Sequence, residues 1–124
     1  MDVEVERELI KRAALDYFEG WYDADPVRMQ KALHDELIKR SFGADGPGML
    51  GRPRDKAQMV EFTESGGGRD RGSATEQSIE VEVLDLYRGS ASAVVRSREY
   101  HEHLHLVRTS SGWKIVNTLW ESSS

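Results

Sequence analysis

Tyr100-His101-Glu102-His103-Leu104-His105-Leu106-Val107-Arg108-Thr109, then Ser110-Ser111-Gly112, then Trp113-Lys114-Ile115-Val116-Asn117-Thr118-Leu119-Trp120-Glu121 form two alternating runs around a polar turn. This is the pattern of a β-hairpin. Pairing Thr109 with Gly112 across Ser110-Ser111 sets His105 opposite Val116, His103 opposite Thr118 and His101 opposite Trp120. One face then holds the three histidines with Val116, Thr118 and Trp120. The other holds Leu104, Leu106, Trp113, Ile115, Asn117 and Leu119. A slip of one residue would exchange the two faces.

Upstream of the hairpin the period is still two. Ile79, Val81 and Val83 alternate with Glu80 and Glu82 in a strand that runs to Tyr87, and Arg88-Gly89-Ser90 turns the chain into Ala91–Ser97. Further back the period becomes that of a helix. Val3, Leu9, Ile10, Ala13, Ala14, Tyr17, Phe18, Trp21 and Tyr22 recur at three- and four-residue spacing among charged residues, which predicts an amphipathic helix from Asp2 to Tyr22. Asp25 and Pro26 restart a short helix as N-cap and first residue, with Val27, Met29 or Gln30, and Leu33 inward. Glu36–Phe42 reads as a strand, Gly43–Gly48 as a loop and Arg54–Glu64 as a third helix with Met59, Val60 and Phe62 apolar. Ser65-Gly66-Gly67-Gly68 reads as a flexible, exposed loop. Helices followed by hairpins predict an α+β fold, with N-terminal helices packed on a curved antiparallel sheet.

Composition narrows the function. A length of 124 residues predicts a single domain with a core of its own. Seventeen basic against 22 acidic side chains give a net charge of −5, which argues against a nucleic-acid or anionic-membrane partner. The chain has no cysteine, which excludes disulfides, thiolate metal sites and cysteine nucleophiles. No apolar run approaches a membrane helix, and Met1-Asp2-Val3-Glu4 is acidic where a signal peptide is basic, so the expected location is the cytoplasm.

Two stretches carry a family resemblance: Tyr17-Phe18-Glu19-Gly20-Trp21-Tyr22-Asp23-Ala24-Asp25 and Leu104-His105-Leu106 with Gly112–Trp120. With the element order, they resemble the nuclear transport factor 2-like (NTF2-like) superfamily of cystatin-like cones. This group includes SnoaL-like cyclases and ketosteroid isomerases, and the likeness is strongest to the bacterial subgroup labelled "putative lumazine-binding". The resemblance implies a ligand pocket between the first helix and the concave sheet face. It also implies that Tyr17 matches the tyrosine that donates to the oxyanion in ketosteroid isomerases. With a turn one residue shorter, His105 falls where those enzymes carry a protonated aspartate. Their general base falls near Ser41, between Lys39 and Arg40, where a serine does not abstract a carbon-bound proton unaided.

The candidate site is therefore Tyr17 and His105 as polar, acid–base groups, with Trp21, His103, Val116, Thr118 and Trp120 completing a ligand-binding wall. His101, His103 and His105 project from one strand face about 6.5–7 Å apart, a spacing at which two imidazoles can share zinc. No cysteine or fixed carboxylate completes such a site, so no metal and no cofactor are expected. Gly66-Gly67-Gly68 follows no strand and opens no helix, which removes a phosphate-loop reading. Large side chains on both faces of the last hairpin predict a homodimer through the sheet. Two functions follow. One is a small-molecule binder, for a partly apolar organic ligand, with or without acid–base chemistry. The other is a non-catalytic dimerisation or interaction module of the same fold.

Overall fold

The computed structural model describes residues 2–123. Helix α1 spans Val3–Tyr22. The Asp2 carboxylate caps it, accepting from the Glu4 and Val5 amides at 3.0 and 3.2 Å. Ile10, Ala13, Ala14, Tyr17, Phe18 and Tyr22 form its buried stripe, at the spacing the sequence predicts. Glu6 is buried on the same helix. Trp113 Nε1 donates to one of its oxygens at 2.7 Å, and the Arg108 guanidinium lies 3.2 Å from the other. This pair of contacts pins the start of α1 to the sheet.

Asp25 opens α2, Pro26–Ala32, by accepting from the Arg28 amide at 3.1 Å. The two helices meet at Gly20, where a Cβ would stand 3.2 Å from the Asp25 carbonyl. Arg28 ties them together, reaching Asp16 at 3.0 Å and Glu19 at 2.6 Å. Met29 is buried, whereas Val27, expected inward, is exposed. The two lie about 200° apart around the helix axis, and so short a helix buries only one stripe. Strand β1, Leu33–Ser41, follows without a loop, three residues earlier than the predicted start at Glu36.

Helix α3 spans Lys56–Glu64 behind a capping box of Asp55 and Gln58. It starts two residues later than expected, because Arg54 is held in a bridge to β1. Its amide and carbonyl both bond the Lys39 backbone, at 2.8 and 3.0 Å. The glycines after α3 differ from the exposed loop the composition predicts: Gly66 and Gly68 are buried. At Gly68 a Cβ would lie 2.4 Å from the Trp21 carbonyl oxygen and 2.6 Å from the indole. The glycines here serve close packing against the end of α1.

Among the described residues, β2 (Glu80–Tyr87), β3 (Ser90–Arg96), β4 (Tyr100–Thr109) and β5 (Gly112–Ser122) join β1 in one sheet, in the order β1-β5-β4-β3-β2. The α+β arrangement is as expected, but the sheet is mixed: β1 runs parallel to β5, and the other pairs are antiparallel. The β4–β5 hairpin starts in the predicted register, with Thr109 opposite Gly112 and Leu106 opposite Ile115. A bulge then intervenes. His105 pairs with Asn117, Leu104 with Thr118, His103 with Leu119 and Glu102 with Trp120, so Val116 is the extra residue.

That single insertion redistributes the faces. Trp113, Ile115, Thr118 and Trp120 all point to the helices, together with Leu104, Leu106 and Glu102. The histidines, Asn117 and Leu119 point away. The expected grouping of histidines with Val116, Thr118 and Trp120 is thus corrected. The physical reason is that both strands now place their large apolar side chains on one face, which the helices cover.

The tight fit at Gly68 makes a stability prediction. Replacing Gly68 by Ala should cost about 1–3 kcal/mol through overpacking and lower the melting temperature by several degrees. Gly89→Ala is the control, since among the described residues no atom lies within 4 Å of the added Cβ. It should leave thermal unfolding unchanged or slightly improved, and calorimetry on both variants checks the contrast.

Candidate functional site

Three elements converge beneath the C-terminal half of α1. Tyr17 comes from the buried helix stripe, Lys39 from β1 and Glu102 from β4. Pairing sets Lys39 beside Thr118 and Glu102 beside Trp120, so both charged side chains emerge on the inner face. Glu102 is only 2% exposed and the Lys39 side chain 14%. A carboxylate buried to that degree needs partners. The Tyr17 hydroxyl donates to Glu102 Oε2 at 2.5 Å, Lys39 Nζ lies 3.4 Å from the same oxygen, and Lys39 Nζ also donates to the Tyr17 oxygen. Ammonium, phenol and carboxylate form one closed hydrogen-bonded triangle.

Burial governs its electrostatics. It raises the Tyr17 phenol well above its ordinary value, and the nearby Glu102 charge raises it further. Burial lowers the Lys39 ammonium, a shift that the Glu102 charge opposes but does not cancel. Tyr22, which bonds Ser97 Oγ at 2.9 Å, is pushed up to about 12, again chiefly by burial. The Thr118 hydroxyl is buried near the Tyr17 phenol and helps to lower it, yet its oxygen has no partner in hydrogen-bond geometry among the described residues.

The triangle forms the polar end of a cavity of about 180 Å³. Phe18, Trp21, Met59, Phe62, Tyr100 and Trp120 supply most of its wall, with Tyr17, Lys39, Glu102 and Arg54 completing it. The aromatic rings pack against one another: Tyr17 and Phe18 meet edge to face at 5.3 Å, as do Tyr100 and Trp120 at 5.0 Å. Lys39 Nζ stands 4.8 Å from the Tyr17 ring centre and 5.9 Å from that of Trp120. The exposed Arg54 guanidinium stacks 5.0 Å over Phe62 and makes no ion pair with a carboxylate among the described residues. Two cations and one anion leave this cavity electropositive in an otherwise acidic protein.

The sequence-predicted residues divide accordingly. Tyr17, Trp21 and Trp120 line the cavity, and Thr118 backs it. Val116 sits at the bulge and does not line it. His103 and His105 are exposed on the opposite sheet face, so the structure does not bring His105 together with Tyr17. His105 Nδ1 instead lies 3.4 Å from the Asn117 amide nitrogen, and the His101 and His103 rings are 5.2 Å apart. Among the described residues no group of three or more His, Asp or Glu side chains is placed to hold a metal ion, and no helix is long and apolar enough to cross a membrane.

Sequence reading missed Lys39, Arg54 and Glu102 as site residues. Glu102 did carry a signal. It shares its strand phase with Leu104 and Leu106, and a carboxylate in a buried phase requires a partner. Nothing local marked Lys39, because Leu37 and Ile38 before it place one apolar residue in each strand phase and so leave its face open.

The raised Tyr17 value fixes a pH dependence. Its folded value lies above the unfolded one near 10, so the stability it contributes is complete below pH 10 and is lost as pH rises beyond it. Tyr17 should add no phenolate absorbance until the protein unfolds. The alkaline absorbance titration of Tyr17→Phe should therefore superimpose on that of the native chain up to the unfolding transition.

The matches to known proteins agree with this architecture. The family model described as "Putative lumazine-binding" matches residues 5–121. An NTF2-like protein of unknown function from Shewanella baltica is similar at 14% identity with a TM-score of 0.75, over 100% of this chain and 98% of that one. One from Methylobacillus flagellatus is similar at 15% identity and TM-score 0.72, over 100% and 96%. A ketosteroid isomerase-like protein from Erwinia carotovora atroseptica is similar at 18% identity and TM-score 0.62, over 96% and 97%. No curated protein matches the chain. With a family model matching almost its full length, and with helices on a mixed sheet that share the fold of solved NTF2-like proteins, the chain belongs to the "Putative lumazine-binding" family.

Proposed function

We propose that the protein binds a small, planar, oxygen-bearing aromatic molecule in the cavity beneath α1. The single observation that carries this reading is the pairing of an aromatic wall with a hydrogen-bonded Lys39–Tyr17–Glu102 end. Ligand sites combine apolar walls with a few convergent polar groups in this way. A volume near 180 Å³ compares with the roughly 150 Å³ apolar cavity that accepts benzene. One ring fits inside, and a second ring or an anionic substituent reaches the mouth beside Arg54. Lumazine, a flat two-ring dione, has this chemistry, which is the support that the family description lends. Tyr17 and Glu102 can hold and move a proton at a ligand oxygen, so acid–base chemistry belongs to the same proposal. The protein acts in the cytoplasm in this reading, and needs neither metal nor cofactor.

The test uses the protein's own fluorescence. Trp21 and Trp120 line the cavity, while Trp113 is engaged with Glu6. Titration with lumazine, and separately with benzoate, should quench emission and raise the melting temperature. A ligand at 100 times its dissociation constant stabilises by about 2.7 kcal/mol. Trp120→Leu should abolish most of the quench. Neither quenching nor stabilisation by any single- or two-ring aromatic acid or dione at millimolar concentration would overturn the proposal.

A homodimer through the outer sheet face remains our reading of the protein's assembly. Ile38 and Leu119 are exposed there, 52% and 39%, beside the histidines. Trp113 and Ile115 are buried under the helices and the bulge turns Trp120 inward with them, so the apolar part of this face is smaller than the sequence predicts. Light scattering at micromolar concentration should give twice 14.1 kDa; a particle of 14.1 kDa alone would refute it.

A further inference from the structure

We propose that Lys39 is a carbonyl-capturing amine, and that the cavity takes aromatic aldehydes or ketones, which Lys39 binds covalently as an iminium. This rests on the ligand-binding reading of the cavity and names the chemistry of its polar end. Lys39 Nζ lines the cavity and stands between the rings of Tyr17 and Trp120. Other lysines lie outside the cavity: Lys11 pairs with Glu8, Lys56 with Asp35, and Lys114, whose affinity for the proton burial also lowers, donates to the Lys31 carbonyl. An ammonium held in an apolar pocket is the form of lysine most readily turned into a nucleophile. Burial already lowers its affinity for the proton.

The hydrogen-bonded triangle supplies the proton movements. Lys39 donates to the Tyr17 oxygen, and the Tyr17 hydroxyl donates to Glu102. One proton can therefore pass from the ammonium through the phenol to the carboxylate, leaving a neutral amine, an intact phenol and a carboxylic acid. The amine nitrogen attacks the carbonyl carbon. A C–N bond forms, the carbonyl π pair moves to oxygen, and that oxygen takes the proton that the nitrogen releases, giving a neutral carbinolamine. The proton stored on Glu102 then returns through Tyr17 to the hydroxyl, which departs as water as the nitrogen lone pair closes the C=N bond.

The balance is one ammonium and one carbonyl in, one iminium and one water out, with no change of oxidation state. Charge is conserved as well: the iminium keeps its positive charge beside the Glu102 carboxylate, where the ammonium had been. The ion pair is discharged while Glu102 holds the proton and is restored when the iminium forms. The aromatic wall holds the ring of the aldehyde, and Arg54 at the mouth favours one that carries a carboxylate.

The experiment traps the adduct. The native protein is incubated with 4-formylbenzoate and sodium cyanoborohydride at pH 8, and the site of reductive alkylation is read by intact mass and peptide mapping. Lys39 should be modified faster than Lys11, Lys31, Lys56 and Lys114 by about tenfold or more, because among the lysines it alone lines the cavity that holds the aldehyde beside its amine. Lys39→Arg should abolish the fast phase, and 4-methylbenzoate, which has no electrophilic carbonyl, should protect the native site. Tyr17→Phe, with unaltered circular dichroism, should slow trapping by roughly a hundredfold. Modification spread evenly over the lysines would overturn the proposal. If 4-methylbenzoate raises the melting temperature while Lys39 is not trapped, the covalent step fails and the binding reading survives. If neither effect is seen, both fall.

Discussion

The carboxylate of Glu102 is the constraint on which the interior is organised. A charge so deeply buried on β4 is tolerable only if other elements bring donors to it, and they come from two directions: the Tyr17 hydroxyl from α1 and the Lys39 ammonium from β1. Neither donor is free to be anything else. Removing one partner of a buried pair typically costs 3–5 kcal/mol, because the remaining charge stays desolvated. The pair therefore fixes the distance of α1 from the sheet and the position of β1 at its edge. The same requirement leaves a polar corner in a space that packing would otherwise have filled.

What keeps that space open is the size and rigidity of its walls. Six of the ten lining side chains are aromatic, and flat rings meeting edge to face leave gaps that aliphatic side chains would close. Gly68 fits against Trp21 and Arg54 stacks on Phe62, so the segments on either side of α3 brace the mouth. A cavity made this way is preorganised. Its occupant does not need to order the wall, which lowers the entropic cost of binding.

The bulge at Val116 connects these two features. Without it, β5 would carry Ile115 and Trp113 inward but turn Thr118 and Trp120 to the outer face. With it, the half of β5 nearest the β4–β5 turn completes the core under the start of α1, and its other half completes the cavity under the end of α1. Bulges frequently re-aim side chains beside functional sites, and here the re-aimed residue is Trp120, which stands over Lys39. The histidines lie on the outer face because they alternate with the buried Leu104 and Leu106, and the bulge parts them from Thr118 and Trp120.

The sequence by itself determined the features that depend on neighbours within a turn or two. Asp2 and Asp25 cap helices, the stripe from Ile10 to Tyr22 is buried, and Ser110-Ser111-Gly112 turns a hairpin, because capping bonds, helical periodicity and turn geometry are local. It also placed Tyr17, Trp21 and Trp120 among the site candidates through helical spacing and family likeness. Only the tertiary structure decided which strand phase faces the helices beyond Val116, that β1 joins β5 in parallel, and that Lys39 rather than His105 accompanies Tyr17. A bulge changes the register of a whole half-strand at small local expense, so its position is set by competition among all five strands for one covered face. A lysine that follows Leu37 and Ile38, one apolar residue in each strand phase, carries no local sign of which face it takes. It turns inward here because a carboxylate 63 residues away has nowhere else to find its charge.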